Sequence, residues 1–300
     1  MPNYIPHLLN KLNHDTPQKP QRSPTTYITM KPTKKGERQL VAPKDTSTLL
    51  EGKMITKVQS IVGALLYYAR ALDSTMLPAL NQIGTQQSAP TINTKRAVNQ
   101  LLDYANTYKH TRVRFHASDM QLEIDSDAAY LVLPKARSRM AGYFKLLDDP
   151  KNKQRTLYNG AILIECRTLR HVVSSAAEAE TNSVFQNAKT AIPIRNLLIG
   201  MGHPQNATII KTDNSTTQGF VNKNIQLKRS KSWDMNLHWL RDRETRKHFN
   251  IIWEHGKNNK GDYFTKHHPI IHHRKERKNY VKDIVNNMFS NLKNIYETER

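Results

Sequence analysis

The chain has 300 residues, and 46 lysines and arginines against 25 aspartates and glutamates give it a formal net charge of +21. This length is sufficient for one large domain or two ordinary ones, and a charge this positive favours a polyanionic partner, most often a nucleic acid. The single cysteine, Cys166, excludes an internal disulfide and a zinc site built from several thiolates, and it is typical of a reducing compartment.

The first segment, residues 1–45, contains half of the chain's 14 prolines and little apolar periodicity. This composition predicts an extended linker. The segment lacks the basic and apolar regions of a secretory signal, and the longest apolar run in the chain, at 61–69, is too short to span a bilayer. We therefore expect a soluble intracellular protein, cytoplasmic or nuclear, without a membrane partner.

Residues 46–115 are predicted to form a small helical segment. Apolar residues recur at i, i+3 and i+4 spacing in 56–73 and again in 94–108, which is the pattern of amphipathic helices. At the other end of the chain, residues 271–300 are predicted to form a basic helical tail.

Residues 116–270 have a mixed pattern that predicts an α/β fold, a mixed sheet flanked by helices. Pro193 is expected to break or kink the first helix of this region beyond residue 191. The predicted strands are 118–127, 141–147, 160–168, 207–213 and 249–255, and the predicted helices are 175–191, 214–223, 231–248 and a short one from about residue 261.

Acidic residues stand where several of these elements begin or end. Asp127 and Asp213 close two strands, Glu178 and Glu180 lie in the early turns of a helix, and Asp262 opens a later helix. Singly, each is typical of a turn or a helix cap. However, strand ends of an open α/β sheet form its ligand site, and carboxylates that face one point repel one another unless a cation lies between them. Together they predict a Mg²⁺ or Mn²⁺ site for phosphodiester hydrolysis.

Several motifs resemble a known family. The segments SDAAYLVLPKARSRMAGYF, SSAAEAETNSVFQNA, KTDNSTTQGFVN, DMNLHWLRDR and GDYFTKHHP occur in the order of the ribonuclease H domain of LTR-retrotransposon polyproteins of the copia-like type. Upstream, IVGALLYYARALDSTML and TKRAVNQLLDYANTY resemble the end of the reverse transcriptase region. The resemblance covers roughly residues 45–270. It makes 46–115 similar to a polymerase thumb or connection, and 1–45 a linker or a remnant of the polymerase end.

The resemblance implies a ribonuclease H-like fold and an endonuclease that cleaves the RNA strand of an RNA–DNA hybrid. It also implies that four acidic residues, all among those at the ends or early turns of the predicted elements, bind two Mg²⁺ ions or two Mn²⁺ ions. Asp125 and Glu178 are the fallback ligands. The four implied ligands are Asp127, Glu180, Asp213 and Asp262.

An alternative function is that of a non-catalytic reverse transcriptase fragment that holds the template–primer. Its partners would be an RNA–DNA hybrid or another nucleic acid and the remainder of the polyprotein, in a virus-like particle or the host cell. The chain has no aromatic-x-Asp-Asp motif, so we expect no polymerase activity from it alone.

Basic residues near these motifs are candidates for nucleic-acid contacts, with a merely solvated surface as the alternative. His255 stands close to a strand end, where we expect an ordinary loop residue rather than the loop histidine that many ribonucleases H carry. The histidines of 267–273 are expected to lie in a solvated extension, because no further cysteines are present to complete a zinc finger with them. The basic candidates are Arg137, Arg139, Lys223, Lys228, Arg229 and Lys231.

Overall fold

A computed structural model describes residues 1–27, 45–152, 158–222 and 234–283. No helix in these ranges is both long enough and apolar enough to cross a membrane. The α-helices are Tyr4–Lys11 (α1), Lys53–Ala71 (α2), Leu77–Gly84 (α3), Ile92–Thr107 (α4), Ala176–Gly200 (α5), Ser215–Val221 (α6), Asp234–Thr245 (α7), Asp262–Thr265 (α8) and Ile270–Arg277 (α9). The strands are Thr111–Arg112 (β1), Gln121–Leu133 (β2), Arg137–Leu147 (β3), Ala161–Thr168 (β4), Thr208–Thr212 (β5), Phe249–Trp253 (β6) and Lys282–Asp283 (β7).

Five strands form one mixed sheet in the order β4-β3-β2-β5-β6. The β2–β3 and β3–β4 pairs are antiparallel, whereas β5 is parallel to β2 and β6 is parallel to β5. The predicted α/β fold, a mixed sheet flanked by helices, is confirmed. Because β2 and β5 are parallel neighbours that pair at 123–125 and 209–211, the carboxyl end of β5 lies beside the middle of β2.

Helix α5 packs closely on one face of the sheet because the residues beneath it are small. The Oγ atoms of Ser126 and Ser183 are 3.1 Å apart, and the Asn187 side chain donates to the backbone oxygen of Ala141 at 2.8 Å. A Cβ atom at Gly142 would overlap the side chain of Asn187. This close approach brings the first turns of α5 to the middle of β2.

Helix α5 continues through Pro193 to Gly200, so of the predicted break or kink the break is wrong. Proline removes one backbone hydrogen bond from a helix, but the turns beyond it are fixed by tertiary contacts. Leu198 is buried in the core, and Arg195 donates to the backbone oxygen of Asn206 at 2.6 Å. Packing of this kind outweighs a single local preference.

The helices α1 to α4 share an apolar core with the opposite face of the sheet. This core includes Leu65 and Leu101 from the helices, Tyr143 from β3 and Phe264 from α8. Ile5 also belongs to it, and burial of this residue explains why the first residues form a helix rather than an extended linker.

Candidate metal centre

Asp127 lies in the middle of β2, opposite Ala141 of β3, so the prediction that it closes the strand is wrong. The strand continues to Leu133 because β3 pairs with it beyond Asp127. The residue is 4% exposed, and one carboxylate oxygen, Oδ2, accepts a hydrogen bond from the Thr265 hydroxyl at 2.8 Å. From α5, the Ser183 hydroxyl donates to the Asp127 backbone oxygen at 2.7 Å. Contacts from α5 and α8 thus fix both the backbone and the carboxylate of Asp127.

Glu180 reaches the same place from the second turn of α5. The helix begins after Ser175, whose hydroxyl caps it by accepting from the backbone N–H of Glu178 at 3.1 Å. One carboxylate oxygen of Glu180, Oε1, accepts from the backbone N–H of Ala128 at 3.1 Å. The other oxygen, Oε2, is buried and accepts no hydrogen bond from any residue that the structure describes.

Asp213 follows β5 directly. Asp125 of β2 pairs with Lys211 of β5, so two further residues along both strands bring Asp213 level with Asp127. The side chain of Trp253 donates to the backbone oxygen of Asp213 at 3.0 Å. The Asp213 carboxylate itself is exposed to solvent, at the open side of the group.

These three side chains form one group of ligand atoms. One carboxylate oxygen from each of Asp127, Glu180 and Asp213 lies within 4.8 Å of the other two. Hard carboxylate oxygens are the ligands that Mg²⁺ and Mn²⁺ prefer, and a buried carboxylate oxygen without a donor is costly unless a cation accompanies it. The residues present therefore fit a divalent metal ion.

Asp262 lies beside this group rather than within it. Its side chain is 39% exposed, and its Oδ1 forms an ion pair with Lys266 Nζ at 2.7 Å. It is nevertheless close enough for its negative charge to raise the pKa of both Asp127 and Asp213.

Burial and mutual repulsion raise the pKa of all three acids in the cluster. Burial raises the pKa of Asp127 to about 7, and the charge of Asp262 adds to this effect. Burial also raises the pKa of Glu180 well above its usual range, with Asp127 as the next cause, and it raises the pKa of Asp213. A cluster that retains protons near neutral pH exchanges them for a cation when one binds.

The two fallback ligands have other partners. Asp125 is buried, and its Oδ2 forms an ion pair with Lys145 Nζ at 2.7 Å. Glu178 accepts hydrogen bonds from the backbone N–H and the hydroxyl of Ser174, both at 2.7 Å, which ties the start of α5 to the preceding loop. The structure thus brings Asp127 and Glu180 into the group and places Asp125 and Glu178 in other interactions.

The structure describes two of the six residues predicted to contact nucleic acid, Arg137 and Arg139. The Arg139 side chain is fully buried and donates to Asn81 at 3.1 Å, so it is not placed to contact a phosphate group at the surface. Arg137 is partly exposed and donates to the backbone oxygen of Leu169 at 2.9 Å. The remaining candidates lie at 223–233, outside the described residues; they are Lys223, Lys228, Arg229 and Lys231.

Two histidines show where the sequence was informative and where it was not. His255 is exposed just after β6, and its Nδ1 accepts from the backbone N–H of Lys257 at 3.2 Å, as expected of a loop residue. His273 is buried, with its ring nitrogens 3.0 Å from the Tyr104 hydroxyl and 2.6 Å from the Tyr263 hydroxyl. The prediction of a solvated extension is therefore wrong for His273.

Two residues that contact the acids were missed in the sequence. Thr265 donates to Asp127, and Lys266 pairs with Asp262. The available signal was the spacing of Lys266 four residues after Asp262, which places both side chains on one face of a helical turn.

Comparison with known proteins gives matches among solved structures alone, since no family model and no curated protein matches the chain. The chain is similar to the N-terminal ribonuclease H domain of Rv2228c from Mycobacterium tuberculosis, at 8% identity over 49% of this chain and 91% of that one, with a TM-score of 0.34.

LC11-RNase H1 in complex with an RNA/DNA hybrid is similar at 9% identity over 48% and 94% of the two chains, with a TM-score of 0.35. The protease–reverse transcriptase of prototype foamy virus is similar at 14% identity over 78% of this chain and 29% of that one, with a TM-score of 0.32. Similarities this low assign no activity to the chain.

Proposed function

We propose that this chain is a Mg²⁺-dependent endonuclease that cleaves the RNA strand of RNA–DNA hybrids, and that it is a reverse transcriptase/ribonuclease H fragment of a retrotransposon polyprotein. The observation that supports this most is the group formed by Asp127, Glu180 and Asp213, whose oxygens lie within 4.8 Å of one another. The three residues come from a strand, a helix and the end of a second strand, so the fold itself assembles the group.

Two Mg²⁺ ions held by these acids and Asp262 would activate a water molecule and stabilise the departing 3′-oxygen. The chain's own residues fix the ligands for this role. The backbone N–H of Ala128 donates to one oxygen of Glu180, and the Thr265 hydroxyl donates to one oxygen of Asp127. Each hydrogen bond fixes the orientation of its carboxylate and leaves the second oxygen for a metal ion. The exposed Asp213 leaves the group open to solvent, where a phosphodiester backbone can approach.

The charge of the chain supports a nucleic acid as substrate. A net charge of +21 attracts phosphate groups over a long range, and it offsets the repulsion between the substrate and the acidic group. Discrimination of RNA from DNA would come from contacts to the 2′-hydroxyl across the shallow minor groove of the hybrid.

The direct test is cleavage of an end-labelled RNA–DNA hybrid with Mg²⁺ and then with EDTA, compared with duplex DNA and duplex RNA. The proposal predicts cleavage of the RNA strand of the hybrid alone. It also predicts a loss of about a hundredfold or more in Asp127→Asn, since a group that acts on developing charge is removed. Asp242→Asn is the matched control, because Asp242 is an exposed residue of α7 that pairs with Arg246. Cleavage by Asp127→Asn at the unaltered rate would remove Asp127 from the site.

The high positive charge also favours a second candidate function, a non-catalytic module that holds the template–primer. Such a module would bind hybrid with a steep dependence on salt concentration and would cleave nothing. Fluorescence anisotropy of a labelled hybrid across a salt titration, in EDTA and in Mg²⁺, separates the two functions. Binding that is unchanged by Mg²⁺ and never followed by cleavage favours the module.

A further inference from the structure

Lys266 is a cation of the chain that lies against the acidic group. Its Nζ is 2.7 Å from Oδ1 of Asp262, and its side chain is 47% exposed. Its positive charge also lowers the pKa of Asp127 and of Asp213. One ammonium group thus acts on three of the four acids that the proposed function assigns to metal ions.

Lys266 pairs with the one acid of the four that lies outside the group of three. Asp262 begins the single turn of α8, and Lys266 follows its last residue in an extended conformation, with φ −141° and ψ 169°. The ammonium group therefore returns along the turn to the carboxylate of Asp262. In contrast, Oε2 of Glu180, a residue only 7% exposed, has no donor within the described ranges.

We propose that Lys266 is an internal counter-ion that occupies the carboxylate of Asp262 until a second metal ion displaces it. A first divalent ion binds Asp127, Glu180 and Asp213, and a second ion recruits Asp262 only by displacing the Lys266 ammonium group. This inference rests on the divalent-ion site of the proposed function. It makes the two ions unequal, because the second must overcome a cation that is already in place.

Calorimetric titration of the full chain with Mg²⁺, repeated with Mn²⁺, tests the inference without reference to activity. The unaltered chain should show one stronger and one weaker site. In Lys266→Gln the weaker site should strengthen by about fivefold, the effect of removing one partly exposed ion pair. Lys266→Arg retains the charge and should bind both ions as the unaltered chain does. Lys95→Gln, at an exposed position of α4, removes the same charge elsewhere and should change neither site.

A double-mutant cycle assigns the effect to Asp262. Asp262→Asn should lose the weaker site, and adding Lys266→Gln to Asp262→Asn should strengthen the remaining site by less than Lys266→Gln alone strengthens the weaker one. If Lys266→Gln binds each of the two ions with the same affinity as the unaltered chain, the inference is overturned. Circular dichroism confirms that the variant is folded.

The Asp262→Asn and Lys266→Arg arms do not require Lys266→Gln to fold. The inference fails if Asp262→Asn keeps both sites. It also fails if the affinity of Lys266→Arg for the second ion rises by the roughly fivefold expected for the uncharged side chain of Lys266→Gln. Binding of no divalent ion by the unaltered chain would overturn both the inference and the proposed function. Two unequal sites with the expected response to Lys266→Gln, but no cleavage of hybrid, would support the inference and reject the nuclease.

Discussion

A Cβ atom on Gly261 would lie 3.2 Å from the Cβ of Asp127 and 3.0 Å from the backbone oxygen of Asp125. Gly261 has a φ of −67°, which any residue adopts, so space rather than conformation requires glycine here. The missing side chain lets α8 begin directly against β2. This contact brings Asp262 and Thr265 to Asp127, although they are more than a hundred residues apart in the chain.

We therefore expect Gly261→Ala to push α8 away from β2. The free energy of unfolding should fall by about 1–3 kcal/mol, as in other overpacked sites, and Mg²⁺ affinity should fall with it. Urea unfolding and calorimetric titration measure the two effects. Gly63→Ala is the control, because Gly63 is exposed within α2 and a Cβ there meets nothing within 4 Å; it should be neutral or stabilising by up to about 1 kcal/mol. Equal behaviour of the two variants would contradict the close contact.

The raised pKa of Asp127, about 7, predicts how stability depends on pH in the absence of divalent ions. A carboxyl group whose pKa is higher in the folded chain than in the unfolded chain, where it is about 4, binds more protons when folded. Its contribution therefore favours the folded state below about pH 4 and is lost as the pH rises towards 7. Burial and the neighbouring acids are the cause.

Asp127→Asn removes this dependence. In EDTA, the variant should gain stability relative to the unaltered chain between pH 5 and pH 8, by about 1–3 kcal/mol. Urea unfolding at pH 5, 6.5 and 8 gives the difference at each pH, and a constant difference would contradict the raised pKa. Because ligands must lose their protons, Mg²⁺ binding to the unaltered chain should weaken by about tenfold per pH unit below pH 7.

The two neighbouring glutamates of α5 should separate stability from ion binding. Glu178→Gln weakens the hydrogen bonds to Ser174 and should lower the free energy of unfolding by about 1 kcal/mol, with little change in ion affinity. Glu180→Gln should abolish Mg²⁺ binding and leave stability equal or higher, because a carboxyl group whose charged form is disfavoured by burial is replaced by a neutral amide. Thermal melting and calorimetry on both variants give the comparison. Loss of ion binding in Glu178→Gln alone would reverse the assignment.

Local patterns explain why much of the sheet and most of the acidic group could be predicted from the sequence. Leu122 and Ile124 alternate with polar residues, and this alternation marks β2 whatever its neighbours are. The rule that ligands bind at strand ends predicts that Asp127 and Asp213 lie together. They do, because β2 and β5 are paired in parallel, although only Asp213 follows a strand end and Asp127 lies in the middle of β2.

The rest depends on contacts that no local pattern contains. Pro193 lies within α5 because distant residues fix the last turns. Arg139 is charged and is therefore expected at the surface, yet it is buried and donates to Asn81 of α3. His273 is buried because Tyr104 and Tyr263 accept or donate at both ring nitrogens, and these partners come from two other helices.

The ion pair of Lys145 and Asp125 should contribute strongly to folding rather than to chemistry. The two side chains are 7% and 0% exposed, and Lys145 also lies 3.4 Å from Glu123. Lys145→Met leaves a buried carboxylate uncompensated and should cost about 3–5 kcal/mol of unfolding free energy. The exposed pair of Arg246 and Asp242 is the control, since Arg246→Met should cost at most about 1 kcal/mol. Recovery of stability in Asp125→Asn with Lys145→Met would confirm that the loss comes from the stranded charge.

Arg277 joins the helical segment to the end of the described chain. Its guanidinium is 2% exposed and donates to both carboxylate oxygens of Asp73 at 2.7 Å. It also donates to Thr111 at 2.7 Å and to Asp283 at 2.6 Å. Arg277→Met strands the buried carboxylate of Asp73 and should cost about 3–5 kcal/mol in urea unfolding. Lys275→Met, at an exposed position of the same helix, should cost less than about 0.5 kcal/mol.

These contacts also test the predicted boundary between the α/β region, which ends at residue 270, and the basic tail, which begins at residue 271. If residues 271–283 were a separate tail, a chain ending at 270 would melt at the same temperature as one ending at 283. Arg277 and its partners predict a lower melting temperature for the shorter chain, because Asp73 and Thr111 lose the partner that satisfies them. Circular dichroism of both chains decides the matter. Equal melting temperatures would leave the tail outside the folded unit, whereas a lower one extends that unit to β7.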